Sequence, residues 1–148
     1  MMLGGGACRK DGATREQQDP RTAAILAAAF EVHNTLGPGF EEVFYQRALQ
    51  KELAARDLDA AREVEIDVYY KGERLGQKRV DFLVAEVMLE IKAKSQLDPQ
   101  DFVQTLSYLR ASGCRIGLLL NFGARRLEYR RLLSAGATGT SRYAASRE

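Results

Sequence analysis

Cysteine is scarce in this chain. Only two occur in 148 residues, Cys8 in a glycine-rich stretch and Cys114 beside a predicted strand. They supply neither a disulfide framework nor a metal-ligand spacing, and a reducing cytosol suits such a chain. Long apolar runs are missing as well, so no membrane-spanning segment is expected. Leu3 to Cys8 superficially resembles a lipoprotein cleavage site, but no apolar segment precedes it and Gly5 stands where a bulky aliphatic is wanted. No export signal is read. Net charge is also small, at +2, which is too little to announce a nucleic-acid binder, so any electrostatic footprint has to be local. Two clusters qualify: Lys78 with Arg79, and Arg125, Arg126, Arg130 and Arg131. Solvated surface charge is the plain alternative for both.

What is present is a chain 45% hydrophobic and 28% charged, the profile of one soluble globular domain with a sizeable core. Residues 1–19 read as a flexible tail, 20–133 as the domain, and 134–148 as a second tail. Ile25, Leu26, Ala29, Phe30, Val32 and His33 recur at helical spacing until Gly37-Pro38-Gly39 breaks the pattern. A second helix is expected from about Glu41 to Arg56, with Val43, Phe44, Leu49 and Leu53 inward and two acids in its first turn.

Three strands follow, Val64 to Tyr70, Leu75 to Val84 and Val87 to Ala93, with Lys71-Gly72 turning between the first two. Asp98 can cap a helix from about Gln100 to Ala111 with Phe102, Leu106 and Leu109 inward. Arg115 to Phe122 reads as a buried central strand, and Leu127 to Leu132 as an edge strand or a short helix. The order α-α-β-β-β-α-β, with a helix joining the third and fourth strands, predicts an α/β sandwich. Its expected core is a mixed four-stranded sheet with a parallel crossover and helices on both faces.

The third strand carries the most informative residues. If Ala85-Glu86 is a two-residue turn flanked by Val84 and Val87, Asp81 stands opposite Glu90, and Lys92 shares their face. Two carboxylates and an ammonium then converge. Hard cations such as Mg²⁺ take carboxylate oxygens, water and phosphate, and a lysine beside them can orient water or offset charge developing on phosphorus. An E-x-K triplet on a solvated hairpin, its charges paired across strands, looks the same in sequence. Leu83 and Met88, however, fall on the same face, so the charges border an apolar region. Ala85-Glu86 lacks the Gly or Asn that tight turns prefer, and a longer connection with a bulge is the alternative register.

Three blocks resemble the GxxExxY protein family, a branch of the PD-(D/E)XK nuclease-like superfamily with a restriction-endonuclease-like core. The run from Val32 to Tyr45 contains the name-giving pattern at Gly39, Glu42 and Tyr45. Arg79-Val80-Asp81 with Leu89-Glu90-Ile91-Lys92-Ala93 looks like the superfamily's metal-and-lysine hairpin, although the family usually has one more residue between its aspartate and E-x-K. Gln104 to Leu109 and Gly117 to Gly123 are similar to its next helix and core strand. Similarity runs from about Ala24 to Leu132.

The resemblance implies a nuclease dependent on Mg²⁺, or on Mn²⁺ in its place. Glu42, Asp81 and Glu90 would hold the metal, Lys92 would assist water, and Gln104 would point into the site. Its substrate would be nucleic acid, DNA ahead of RNA, with a partner protein able to supply target recognition. Several of these residues have plainer readings. Glu42 is also a first-turn helix acid, and Tyr45 shares its face at i+3. His33, the sole histidine, is either a satisfied structural residue or a substrate contact. Arg79 either meets a phosphate or forms a cross-strand ion pair. A non-catalytic binding module that keeps the fold is the competing function.

Overall fold

The computed structural model describes residues 19–134. The expected tails, Cys8 included, lie outside the described residues apart from Asp19 and Ser134. Helix α1 spans Pro20–Leu36. Asp19 caps it by accepting from the Arg21 backbone N–H at 2.7 Å, and proline stands in its first turn, where no partner for its missing N–H is needed. Helix α2 spans Glu42–Ala55. Between the two, Gly37 and Gly39 take φ of 70° and 118°, values that side-chain-bearing residues rarely adopt, so this tight reversal requires glycine.

The remaining elements are β1 Ala60–Tyr70, β2 Glu73–Val84, β3 Val87–Lys92, α3 Pro99–Ser112, β4 Ile116–Asn121 and β5 Glu128–Leu133. They form one five-stranded sheet in the order β1-β2-β3-β4-β5. All neighbours are antiparallel except β3 and β4, which are parallel, as the intervening helix predicts. Two sequence expectations about the sheet need correction. The sheet has five strands and not four, because Glu128–Leu133 is a strand that pairs with β4. Every residue of β4 is buried, and β5 covers what would otherwise be its bare edge. Strand β1 also begins at Ala60, four residues before the alternating pattern.

The sheet separates two apolar clusters. On one side Ile25, Leu26, Ala29 and Val32 of α1 and Tyr45, Leu49 and Leu53 of α2 pack on Phe82, Leu89, Ile91, Leu118 and Leu120. On the other, Leu109 of α3 packs with Ile66, Val80, Leu83 and Met88. Helices therefore cover both faces. Within α2 the inward aromatic is Tyr45, which is fully buried, and not Phe44, which is 46% exposed.

The β1–β2 and β2–β3 hairpins close through two-residue left-handed turns, with φ of 48° and 86° at Lys71-Gly72 and 50° and 67° at Ala85-Glu86. The second is strained, since neither residue is glycine or asparagine. Fully buried Val84 and Val87 pair directly across it, and the Arg21 guanidinium donates to the Ala85 carbonyl at 3.0 Å. Because helices cover both faces, a slip of one residue would turn Val87 out of the α1–α2 layer and swing Glu90 and Lys92 into it, so packing fixes a register that the turn sequence alone would not.

Candidate active site

Strand β2 changes character at Asp81. Its ladder with β3 runs Val84↔Val87, Leu83↔Met88 and Phe82↔Leu89, and the next step would set Asp81 against Glu90. There a side chain takes over from the backbone: Asp81 Oδ2 accepts from the Ile91 N–H at 2.7 Å. Toward β1, pairing passes from Arg62↔Phe82 to Val64↔Val80, and the skipped Glu63 has a φ of 58°. Val80 and Phe82 consequently enter opposite apolar clusters, although residues two apart on a regular strand share a face. At the irregularity Asp81 meets α2, its Oδ1 accepting from Gln46 Nε2 at 3.2 Å.

Around Asp81 the chain gathers Glu42, Glu90 and Lys92. Glu90 is only 7% exposed, and its Oε2 is buried without a hydrogen-bond partner. Burial first, and then the Asp81 charge and a hydrogen bond shared with Asp81, push the Glu90 carboxyl up to about 9, with Lys92 opposing and Glu42 adding to the rise. Glu42, in the first turn of α2, is raised by burial and by Asp81, against the pull of Lys92 and a hydrogen bond from Gln46. Asp81, Glu90 and Lys92 sense one another's charge as neighbours on the hairpin, and Glu42 joins them from α2.

Helix α3 supplies the surroundings of Lys92. The Lys92 Nζ donates to Gln104 Oε1 at 3.3 Å and lies 3.9 Å from Asp101 Oδ1. Asp101 is itself buried and fixed: its Oδ2 accepts from Lys94 Nζ and from the Asp98 N–H, both at 2.9 Å, and Asp98 returns the bond in a capping box. The backbone beyond Lys92 is pinned by fully buried Asn121. Its Oδ1 accepts from the Lys94 and Gly123 N–H groups, while its Nδ2 donates to the Lys94 carbonyl and to Glu128. A Cβ on Gly123 would stand 2.4 Å from the Lys94 nitrogen, so close backbone approach demands glycine there.

Three further expected residues lie in different surroundings. Tyr45 Oη donates to the Gly37 carbonyl at 2.5 Å and accepts from the Phe40 N–H at 3.1 Å, and its ring stacks on Phe122. It latches the turn that delivers Glu42, which gives the Gly39, Glu42 and Tyr45 spacing a physical sense: reversal, acid, latch. His33 Nε2 is 2.9 Å from the Ala124 carbonyl, with its ring against Phe122, the arrangement of a satisfied structural histidine. Arg79 stands opposite Glu65 in register and 3.7 Å from its carboxylate, both side chains well exposed.

Sequence reasoning missed Gln46, Arg62 and Asp101. Gln46 follows Glu42 at i+4 and Asp101 precedes Gln104 at i−3, so helical spacing could have found both. Arg62 carried no such signal.

Among the described residues, no three acidic, histidine or cysteine side chains are gathered into a metal-binding group as they lie. The donor set nevertheless suits a hard divalent cation: it is all oxygen, it includes an orphaned buried acceptor on Glu90, and burial, with repulsion from Asp81 second, raises two of its acids. No helix among the described residues is long and apolar enough to cross a membrane.

Residues 19–132 match the PD-(D/E)XK nuclease superfamily. That match takes in all but the last residue of the sheet and the three helices among the described residues, and the chain belongs to this superfamily. A comparison with curated proteins returned no match. One solved structure, "Crystal structure of SSO0001", is similar at 17% identity with a TM-score of 0.48, covering 61% of this chain. The alignment spans about half of that protein, 48% of its length, and a likeness so slight carries no argument about function.

Proposed function

We propose that this protein is a nuclease of the GxxExxY branch that hydrolyses phosphodiester bonds in nucleic acid, with Mg²⁺ or Mn²⁺ as cofactor and DNA as the first substrate to test. The observation that carries the reading is the convergence of Glu42, Asp81, Glu90 and Lys92, with one oxygen of Glu90 buried and unpartnered. Glu42, Asp81 and Glu90 would hold the ion. When bound there, a divalent cation would polarise a phosphoryl oxygen and make water more acidic.

The residues of the chain do the rest. Lys92, steered by Gln104 and Asp101, places its ammonium where negative charge grows on the phosphoryl group as water adds and the P–O bond breaks. Asp81 is held by the Ile91 N–H, so one ligand is positioned by backbone. Arg79, Arg125 and Arg126 are exposed cations suited to neighbouring phosphates. A partner protein would supply target recognition, and the shortage of cysteine pairs suits the cytoplasm. In this reading His33 and Tyr45 support the site from behind.

Cleavage of a panel of DNA and RNA substrates with Mg²⁺ or Mn²⁺, against an EDTA control, tests the proposal. Lys92→Ala should slow cleavage by roughly 10²-fold or more while leaving substrate affinity nearly unchanged. No metal-dependent turnover by wild type, combined with loss of affinity in Lys92→Ala, would favour the binding module.

A further inference from the structure

The Gln46 side chain stands between two of the proposed ligands. Its Nε2 donates to Glu42 Oε2 at 3.0 Å and to Asp81 Oδ1 at 3.2 Å, so both amide hydrogens are spent on carboxylates from different elements. Its Oε1 accepts from Arg62 Nη2 at 3.1 Å. These partners leave the amide one orientation. Arginine can only donate, and carboxylates as ligands can only accept, so turning the amide over would set oxygen against oxygen and N–H against N–H. Each carboxylate oxygen that accepts from Gln46 keeps a second lone pair for another partner.

Arg62 is placed for this task by the irregular backbone described above. It lies on β1 opposite Phe82, immediately before left-handed Glu63, and its side chain is 20% exposed. Neither Gln46 nor Arg62 follows from the E-x-K hairpin. Together they join α2, β1 and β2 at the point where Glu42 from a helix has to meet Asp81 from a strand.

We infer that Gln46, oriented by Arg62, is a positioning residue that holds the Glu42 and Asp81 carboxylates as a pair. It rests on the metal-binding reading only for its consequence, since the bridge itself joins residues of this chain. Partners of ligand carboxylates orient them, and their loss commonly lowers metal affinity by roughly 10- to 100-fold. Gln46→Leu should therefore weaken Mn²⁺ binding about tenfold in calorimetry, and Arg62→Leu about threefold by freeing the amide. Arg62→Lys keeps a donor and should restore most of the affinity, a rescue that loss of bulk packing would not show.

A second measurement needs no metal. In EDTA, urea unfolding of Gln46→Leu, Asp81→Asn and the double variant forms a cycle in which the bridge predicts coupling of about five- to tenfold in the unfolding constant. Coupling together with weakened Mn²⁺ binding supports the inference. Coupling near zero overturns it, as does Mn²⁺ binding in Gln46→Leu that equals or exceeds wild type, which would mark the amide as a bystander or a competitor of the ion. If wild type binds no Mn²⁺, the metal reading falls and the cycle alone decides whether the bridge stands.

Discussion

Replacing Glu90 by glutamine should stabilise the metal-free protein, and the gain should grow with pH. Glu90 has an ordinary value of 4.5 but is pushed up to about 9 by burial and by Asp81. A carboxyl whose folded-state pKa is raised contributes stability that is fully present below the unfolded value and is lost as pH rises through the folded one. Between pH 4.5 and 9 the native state binds the extra proton, so each rise of one pH unit should raise the unfolding constant by up to tenfold. Keeping a proton at pH 7 on a group of ordinary value 4.5 costs about 3 kcal/mol.

Glutamine removes that cost. Its amide is neutral, similar in shape, and able to donate to Asp81 as the protonated acid does. In EDTA, urea unfolding at five pH values from 5 to 9 should show wild-type stability falling while Glu90→Gln stays nearly level. The two should meet near pH 5 and stand about 3 kcal/mol apart at pH 7. Parallel curves, or a variant less stable than wild type at pH 8, would refute the reasoning, because Glu90 would then be neither strongly desolvated nor opposed by Asp81. Saturating Mn²⁺ should reverse the order, since the gain in stability by mass action, about 2.7 kcal/mol at a hundredfold excess over Kd, requires the carboxylate.

Asp81→Asn should abolish the thermal shift that Mn²⁺ gives wild type, and equal shifts in both proteins would remove Asp81 from the metal site. Replacing Ala85-Glu86 by Asn-Gly should raise stability by about 1 kcal/mol or more, because both residues now occupy left-handed backbone; an unchanged urea midpoint would show that the turn is not strained. Gly123→Ala should cost several kcal/mol, roughly as much as a severe core substitution, because its Cβ would collide with the backbone of Ala93 and Lys94. For nucleic-acid binding, Arg79→Ala and the Arg125/Arg126 double alanine should each lower the slope of log affinity against log salt, by about one per lost phosphate contact. Slopes equal to wild type would take those arginines off the binding surface.

How far the site could be read in advance depended on which interactions are local. Asp81, Glu90 and Lys92 were legible because strand alternation and a two-residue turn fix side-chain placement over a dozen residues. The turn's own sequence argued against that register, and it holds because Val84 and Val87 are wholly buried and Arg21 grips the Ala85 carbonyl. Asp98 announced its helix for the same local reason, as its carboxylate reaches N–H groups two and three residues ahead. Leu127 to Leu132 reads either way because six residues with arginines interspersed fit an edge strand or a helical turn, and only the bare side of β4 decides between them.

The illegible parts depend on groups distant in the chain. Apolar spacing could not choose Tyr45 over Phe44 for the interior, since the choice turns on a hydroxyl that finds the Gly37 carbonyl and Phe40 N–H of a turn. Arg62 was hidden by Glu63, whose left-handed backbone breaks the alternation that would have extended β1 upstream of Val64. That break also leaves Asp81 without regular backbone pairs in the β2 ladders, so the feature that concealed part of the site from pattern reading is one that frees Asp81 to serve it. A strand uninterrupted at this point would have been easier to read, and it would have committed the Asp81 backbone to both ladders.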